Sequence, residues 1–200
     1  MNWQLFGEAF VTLFVIMDPP GTVPIFLALT GTMRSRERKL AALIAVSVSA
    51  GVITAFALFG QAILDYLGIS LPALQTAGGL LLLLVALQLL TGELDDPDAS
   101  ATGNVAMVPL GTPLLAGPGA IVATMVFVQR ADGAEDYLSV AAAIVAVHVL
   151  LWVSMRFSGV ILRVLRESGI LLVTRISGLL LAAIAVQLVA DAVRAFVSGG

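Results

Sequence analysis

The stretch Gly79-Leu80-Leu81-Leu82-Leu83-Leu84-Val85-Ala86-Leu87-Gln88-Leu89 returns later in the chain as Gly178-Leu179-Leu180-Leu181-Ala182-Ala183-Ile184-Ala185-Val186-Gln187-Leu188. Glycine, three leucines, alanine, glutamine and leucine recur at a constant offset, 79 to 178. At that offset Gly60 meets Gly159, and a shift of one residue brings Pro20-Gly21 onto Pro118-Gly119. The chain reads as one domain, 1–200, built from two halves of about 1–98 and 99–200. Both copies are continuously apolar, whereas the strands of a membrane barrel alternate.

The whole chain has the same character. It is 60% hydrophobic and only 12% charged, about half the roughly 25% charge of a soluble domain. So few charged side chains cannot cover a water-soluble surface, but a bilayer requires no polar surface along its hydrocarbon-facing sides. Leu40–Leu64, Tyr66–Gly92, Ala99–Gln129 and Tyr137–Met155 carry no formal charge, against the ~20 residues that span a bilayer. Ile176–Ala190, extended back across Arg175 to Ile170, is a fifth apolar segment, and Leu5–Thr30 a sixth, interrupted at Asp18-Pro19-Pro20-Gly21. The expected fold is all-α and polytopic, with six transmembrane helices. The first helix reads as retained, because Met1–Gln4 lacks the basic residues of a signal peptide and no small-residue cleavage site follows Val15-Ile16-Met17. Two units of three spans each run in opposite directions through the membrane, so the repeats are expected to be inverted.

Lys and Arg set the orientation. Arg34, Arg36, Arg38 and Lys39 lie between helices 1 and 2, and Arg156, Arg163 and Arg166 in the stretch joining helices 5 and 6, with Arg175 just beyond. In a six-helix chain both stretches fall on one side, which the positive-inside rule makes cytoplasmic, with both termini extracytoplasmic. The acidic loop Glu93–Asp98 falls on the same side, and acidic residues count little in that rule.

Helices 1 and 4 are expected to be broken. Pro19 and Pro20 remove backbone donors and Gly21 relaxes the chain, near the bilayer midplane if the helix begins around Leu5. Asp18 is placed to cap the second half-helix. Helix 4 carries three prolines and three glycines in Pro109–Gly119, and its second half is expected to begin near Pro118 with the N–H groups of Gly119 and Ala120 free. Two opposed half-helix N-termini in the interior suit a carboxylate, and unpaired carbonyls suit a cation or ammonium. The alternative is that the breaks only shape packing. The candidate substrate-binding residues are Asp18, Pro19, Gly21 and Thr22 at the first break and Gly117 and Gly119 at the second. Gln88 and Gln187 line the cavity or hydrogen-bond across helices. Arg175 snorkels to the interface or pairs with Asp18 or a substrate carboxylate. His148 reads as a buried packing residue, with a proton relay as the alternative.

The exclusions are broad. A net charge of −3 offers no basic nucleic-acid footprint, and the absence of cysteine removes disulfides and thiolate chemistry. No metal constellation, nucleophile–base pair or nucleotide-binding loop is visible. Neither an enzyme nor a cofactor is expected.

Asp18-Pro19-Pro20-Gly21-Thr22-Val23-Pro24-Ile25-Phe26 resembles the Asp-Pro-x-Gly-x-x-Pro-x-Phe signature of the MarC family of integral membrane proteins. The similarity continues through Arg34–Lys39, Leu67-Gly68-Ile69-Ser70, Ala77-Gly78-Gly79, Pro109–Ala120 and Arg175-Ile176-Ser177-Gly178 to Gln187, essentially the whole chain. Pro20, where the family usually has an aliphatic residue, and Gly111, where it often has alanine, depart from the pattern without removing the breaks. The resemblance implies an inner-membrane protein of six helices and, from some relatives, transport of neutral amino acids. The expected function is export or transport of small solutes by alternating access, with lipid, the solute and H+ or Na+ as partners. A homo-oligomer is compatible with the sequence. The rival is a membrane scaffold or interaction protein without transport activity.

Overall fold

A computed structural model of the chain describes residues 1–30, 33–91 and 115–198. Among the described residues the regular structure is entirely helical: α1 (Trp3–Met17), α2 (Pro19–Thr30), α3 (Ser35–Leu67), α4 (Leu71–Thr91), α5 (Pro118–Gln129), α6 (Ala134–Arg156) and α7 (Ser158–Ser198). The acidic loop Glu93–Asp98 and the Pro109–Leu114 part of the second break lie outside the described residues. Among the described residues four helical stretches are long and apolar enough to cross a bilayer: Ser35–Leu67, Leu71–Thr91, Ala134–Arg156 and Leu171–Ser198. Even the best-packed of them buries only 39% of its apolar window. The remaining surface, with Leu58, Phe59, Leu84, Leu172 and Leu179 exposed, is stable only against hydrocarbon.

The first apolar segment breaks where its prolines predict. Asn2 caps α1 by accepting the Leu5 N–H at 3.1 Å. A residue before proline is pushed out of the right-handed helical region, and Asp18 adopts φ 41°, ψ 68°, the left-handed conformation. Among the described residues it is the only non-glycine with positive φ; aspartate is one of the few side chains that tolerates it. The Asp18 N–H still donates to the Phe14 carbonyl, and the Asp18 carbonyl accepts the Thr22 N–H, both at 3.0 Å. Pro19 and Pro20 occupy the first turn of α2, where a helix needs no donor. In the second half α5 likewise starts on a proline, after Gly117 as N-cap, and α2 and α5 are each 12 residues long.

Two expectations change. The Ala120 N–H is not free: it donates to the Gly117 carbonyl at 3.0 Å, and Ile121 follows at 3.1 Å. The basic stretch after Arg156 is not a loop. Phe157 alone separates α6 from α7, which then runs for 41 residues, about 60 Å at 1.5 Å per residue. Ser158–Ser198 contains no proline, and its interior glycines cost only about 1 kcal/mol each. Polar residues there end the hydrophobic span without ending the helix.

Tertiary pairing fixes the two ends. Asn2 donates from its backbone N–H to Ser139 Oγ at 2.8 Å and from Nδ2 to Asp136 Oδ1 at 3.0 Å, so α1 begins beside the first turn of α6. At the other end Arg38 Nη2 reaches the Thr30 carbonyl at 3.3 Å and complements the C-terminal dipole of α2. The most extensive contact joins α4 and α7. A Cβ on Gly79 would meet the Ala185 carbonyl oxygen at 2.9 Å, with Leu188 and Val189 beside it; one on Gly178 would meet the Ala86 carbonyl oxygen at 3.3 Å, with Leu89 and Leu90 beside it. Partner numbers fall along α7 as they rise along α4, so the two helices are antiparallel. α3 crosses α6 at Ser49 and His148, while α2 packs on α6 and α7, and α5 on α3 and α4.

Candidate functional site at the helix break

Asp18 is 7% exposed. Its Oδ1 accepts the Ser177 hydroxyl from α7 at 2.9 Å. Since Pro19 and Pro20 have no N–H, the first donor of α2 is that of Gly21, and the Asp18 carboxylate lies against this residue. A Cβ on Gly21 would collide with Asp18 Oδ2, so only glycine allows the carboxylate to lie on the backbone here. Thr22 is buried, but its hydroxyl turns back to the Pro19 carbonyl at 2.8 Å and tightens the first turn of α2. A carboxylate, a serine hydroxyl and a half-helix N-terminus therefore share one partly buried point. Oxygen ligands of this kind suit an ammonium group, a proton or an alkali cation, and the helix end suits an anion.

The second break has the same frame with different chemistry. At the constant offset the equivalent of Ser177 is Gly78, whose added Cβ would meet Val122 and, at 3.5 Å, the Pro118 carbonyl oxygen. Gly119 is buried under the Leu82 side chain, which occupies the space a Cβ would need. Gly117 caps α5 through its carbonyl. The contact between a half-helix start and a long helix is thus polar at the first break and apolar at the second. Met17 before the first break, and Leu115, Ala116 and Ala120 around the second, belong to one core cluster with Leu82 and Leu181.

Gln88, Gln187 and Arg175 are not brought to Asp18; all three are exposed. Gln88 stands nine residues from Gly79, about 180° around the helix at 100° per residue, and so on the face away from the α4–α7 contact. Gln187 has the equivalent place on α7 and donates to Asp191 at 2.8 Å. Arg175, two residues before Ser177, is about 200° away from it.

Two pairings escaped sequence reading. In the sequence Ser177 is one small residue beside Gly178 with nothing local to tie it to Asp18, and its hydroxyl bond depends on the rotation of α7. Ser49 and His148 form the second: Ser49 Oγ lies 3.2 Å from His148 Nε2, and His148 Nδ1 lies 2.7 Å from the Ile144 carbonyl. That carbonyl can only accept, so the assigned tautomer carries its proton on Nδ1, and the serine donates to Nε2. The signal was available, because Ser49 and His148 are separated by the repeat offset itself. Among the described residues no three metal-ligating side chains cluster.

A bundle of long apolar helices with an interior broken helix defines the class: an all-helical integral membrane protein. The MarC family model, described as MarC family integral membrane protein, matches residues 3–197, and the chain belongs to that family. It is 38% identical to a UPF0056 membrane protein of Methanocaldococcus jannaschii, over 97% of this chain and 98% of the relative. It is 36% identical to a UPF0056 membrane protein of Aquifex aeolicus, over 95% and 92%. It is 30% identical to the UPF0056 membrane protein YhcE of Escherichia coli, over 99% and 96%. No solved structure matches the chain.

Proposed function

We propose that the protein is a secondary transporter of small zwitterionic solutes, neutral amino acids in particular, and has no enzymatic activity. The observation that carries this reading is the buried Asp18 carboxylate at the α1–α2 break, held by Ser177 of another helix. An intramembrane carboxylate is costly, and packing alone does not require one. The substrate carboxylate would meet the N-terminal ends of α2 and α5 near Gly21 and Gly119. Asp18 would exchange its serine partner for the substrate ammonium or for a coupling H+ or Na+. Lipid, solute and coupling ion are its partners on this view, nucleic acid is not, and homo-oligomers are allowed.

Alternating access between inverted three-helix repeats, α1–α2 with α3 and α4 against the second break and α5 with α6 and α7, is the mechanism proposed. Three contacts support the symmetry. Gly79 meets residues 185, 188 and 189 while Gly178 meets 86, 89 and 90, each set offset by the same 99 residues. Ser49 meets its own equivalent, His148, as residues on a two-fold axis do. The α2–α7 and α2–α6 contacts have α5–α4 and α5–α3 as counterparts. Antiparallel α4 and α7 require that axis to lie across the helices, in the plane of a membrane they span. The positive-inside rule then puts the Arg34–Lys39 end in the cytoplasm of a cell with its termini outside, the membrane being the inner one.

The test is uptake of labelled glycine, alanine and serine into proteoliposomes under a proton or sodium gradient. Flux with the wild type and none with Asp18→Asn at equal protein level is expected. No flux under either gradient would overturn the amino acid reading. A scaffold would instead show Asp18→Asn changing folding alone.

A further inference from the structure

We infer that the basic end of the bundle is a binding site for a phosphate-bearing anion, separate from the Asp18 site and independent of the transport proposal. A cavity of about 360 Å³ lies between the start of α3 and the α6–α7 junction. Its polar walls are Ser35, Arg38, Lys39, Arg156, Ser158 and Arg163, with no carboxylate among the described lining residues. Two clusters of cations remote in sequence, 38–39 and 156–163, thus converge on one cavity. Four like charges around so small a space repel one another unless an anion sits among them.

The local geometry fits oxygens of that anion. Arg38 spends Nη2 on the Thr30 carbonyl at 3.3 Å, yet its Nε is buried without a hydrogen-bond partner among the described residues. The Arg156 guanidinium is held over the Phe157 ring at 5.3 Å, which fixes its position at the rim. Glu37, the acid beside this cluster on α3, turns its Oε2 to the Arg34 N–H at 3.0 Å and caps α3. α3 begins at Ser35, so the positive end of its dipole lies beside the cavity, whose walls include the side chains of Ser35 and Ser158. A Cβ on Gly159 would meet nothing within 4 Å, so the cavity wall is open there. Several donors of one sign with two hydroxyl-bearing side chains match an anionic group carrying several oxygens, which is the chemistry of phosphate. Such a group reaches this end either as the head of an anionic phospholipid or as a soluble phosphate.

The experiment uses the full chain in nanodiscs of zwitterionic phosphatidylcholine. One arm adds phosphatidylglycerol and counts retained lipid by native mass spectrometry; the other titrates inorganic phosphate and follows thermal stability. Saturable binding is expected in at least one arm. Retention of phosphatidylglycerol without a phosphate effect assigns a lipid headgroup, and a phosphate effect assigns a soluble anion. Lys39→Gln with Arg163→Gln should weaken that binding roughly tenfold or more and lessen its salt dependence, whereas Arg194→Gln near the far end of α7 should not. If the double variant fails to fold, Gly159→Asp, which puts a carboxylate into the open wall, should give the same loss. No saturable binding in either arm, or binding unchanged in the folded cavity variants, would overturn the inference.

Discussion

Asp18 is where backbone and side-chain chemistry meet. Its backbone is left-handed just before two prolines, its carboxylate lies against Gly21, and its Oδ1 accepts the Ser177 hydroxyl. Hydrogen bonds to charged groups contribute about 1.5–3 kcal/mol. Ser177→Ala is therefore expected to lower unfolding stability by about that amount in detergent, and Ser177→Thr to recover most of it; equal stability of all three would refute the bond. The two break glycines should respond differently. In Gly119→Ala the obstacle is the Leu82 side chain, so a loss of about 1–3 kcal/mol should be relieved by adding Leu82→Ala. In Gly21→Ala the obstacle is the Asp18 carboxylate, and relieving it by changing Asp18 should restore folding without restoring the proposed transport. Thermal unfolding and flux measured on the same preparations separate the two cases.

At the scale of elements, the α4–α7 contact depends on glycine because a backbone carbonyl faces each one. A carbonyl in a helix cannot rotate aside as a side chain can. Gly79→Ala should cost more than Gly178→Ala, since the added carbon would stand at 2.9 Å from the Ala185 oxygen but 3.3 Å from that of Ala86. Urea or SDS unfolding of the two variants checks the order, and equal effects would contradict the packing. The Ser49–His148 bond joins α3 to α6 in the same way; interhelical bonds of this type contribute about 0.6–2 kcal/mol. His148→Leu should fall in that range, without the loss of flux expected of Asp18→Asn. The starts of α2 and α5 were legible because proline and glycine act on their own backbone. The continuity of α7 through Arg163 was not, because a change from apolar to polar residues marks the end of a hydrophobic span and carries no signal that the helix stops.

Over the whole molecule, the two basic clusters occupy one end and the N-terminus the other, beside Glu135 and Asp136. The chain has no cysteine, so single cysteines report cleanly. Cysteines at Ser35 and Gly159, both exposed, should be labelled from the same side of intact cells or spheroplasts by an impermeant maleimide, and one at Ser70 from the opposite side. Labelling of Ser35 and Gly159 from opposite sides would overturn the shared basic end and, with it, the proposed inverted repeat.

What the sequence determined by itself is what short-range chemistry and composition control: a helical membrane protein, a helix broken at Asp18, and a half-helix starting at Pro118. Proline, glycine and long uncharged runs act within a turn or along a single span, so no distant residue is needed to read them. The tertiary structure alone decided that Ser177 holds Asp18 across 159 positions, that Gln88 and Gln187 face outward, and that Arg38 and Arg163 share a cavity. Those outcomes depend on the rotation and height of each helix against its neighbours. That is set by the summed packing of many small and large side chains, such as Gly79 on Ala185 and Gly119 under Leu82, and no local stretch of sequence contains it.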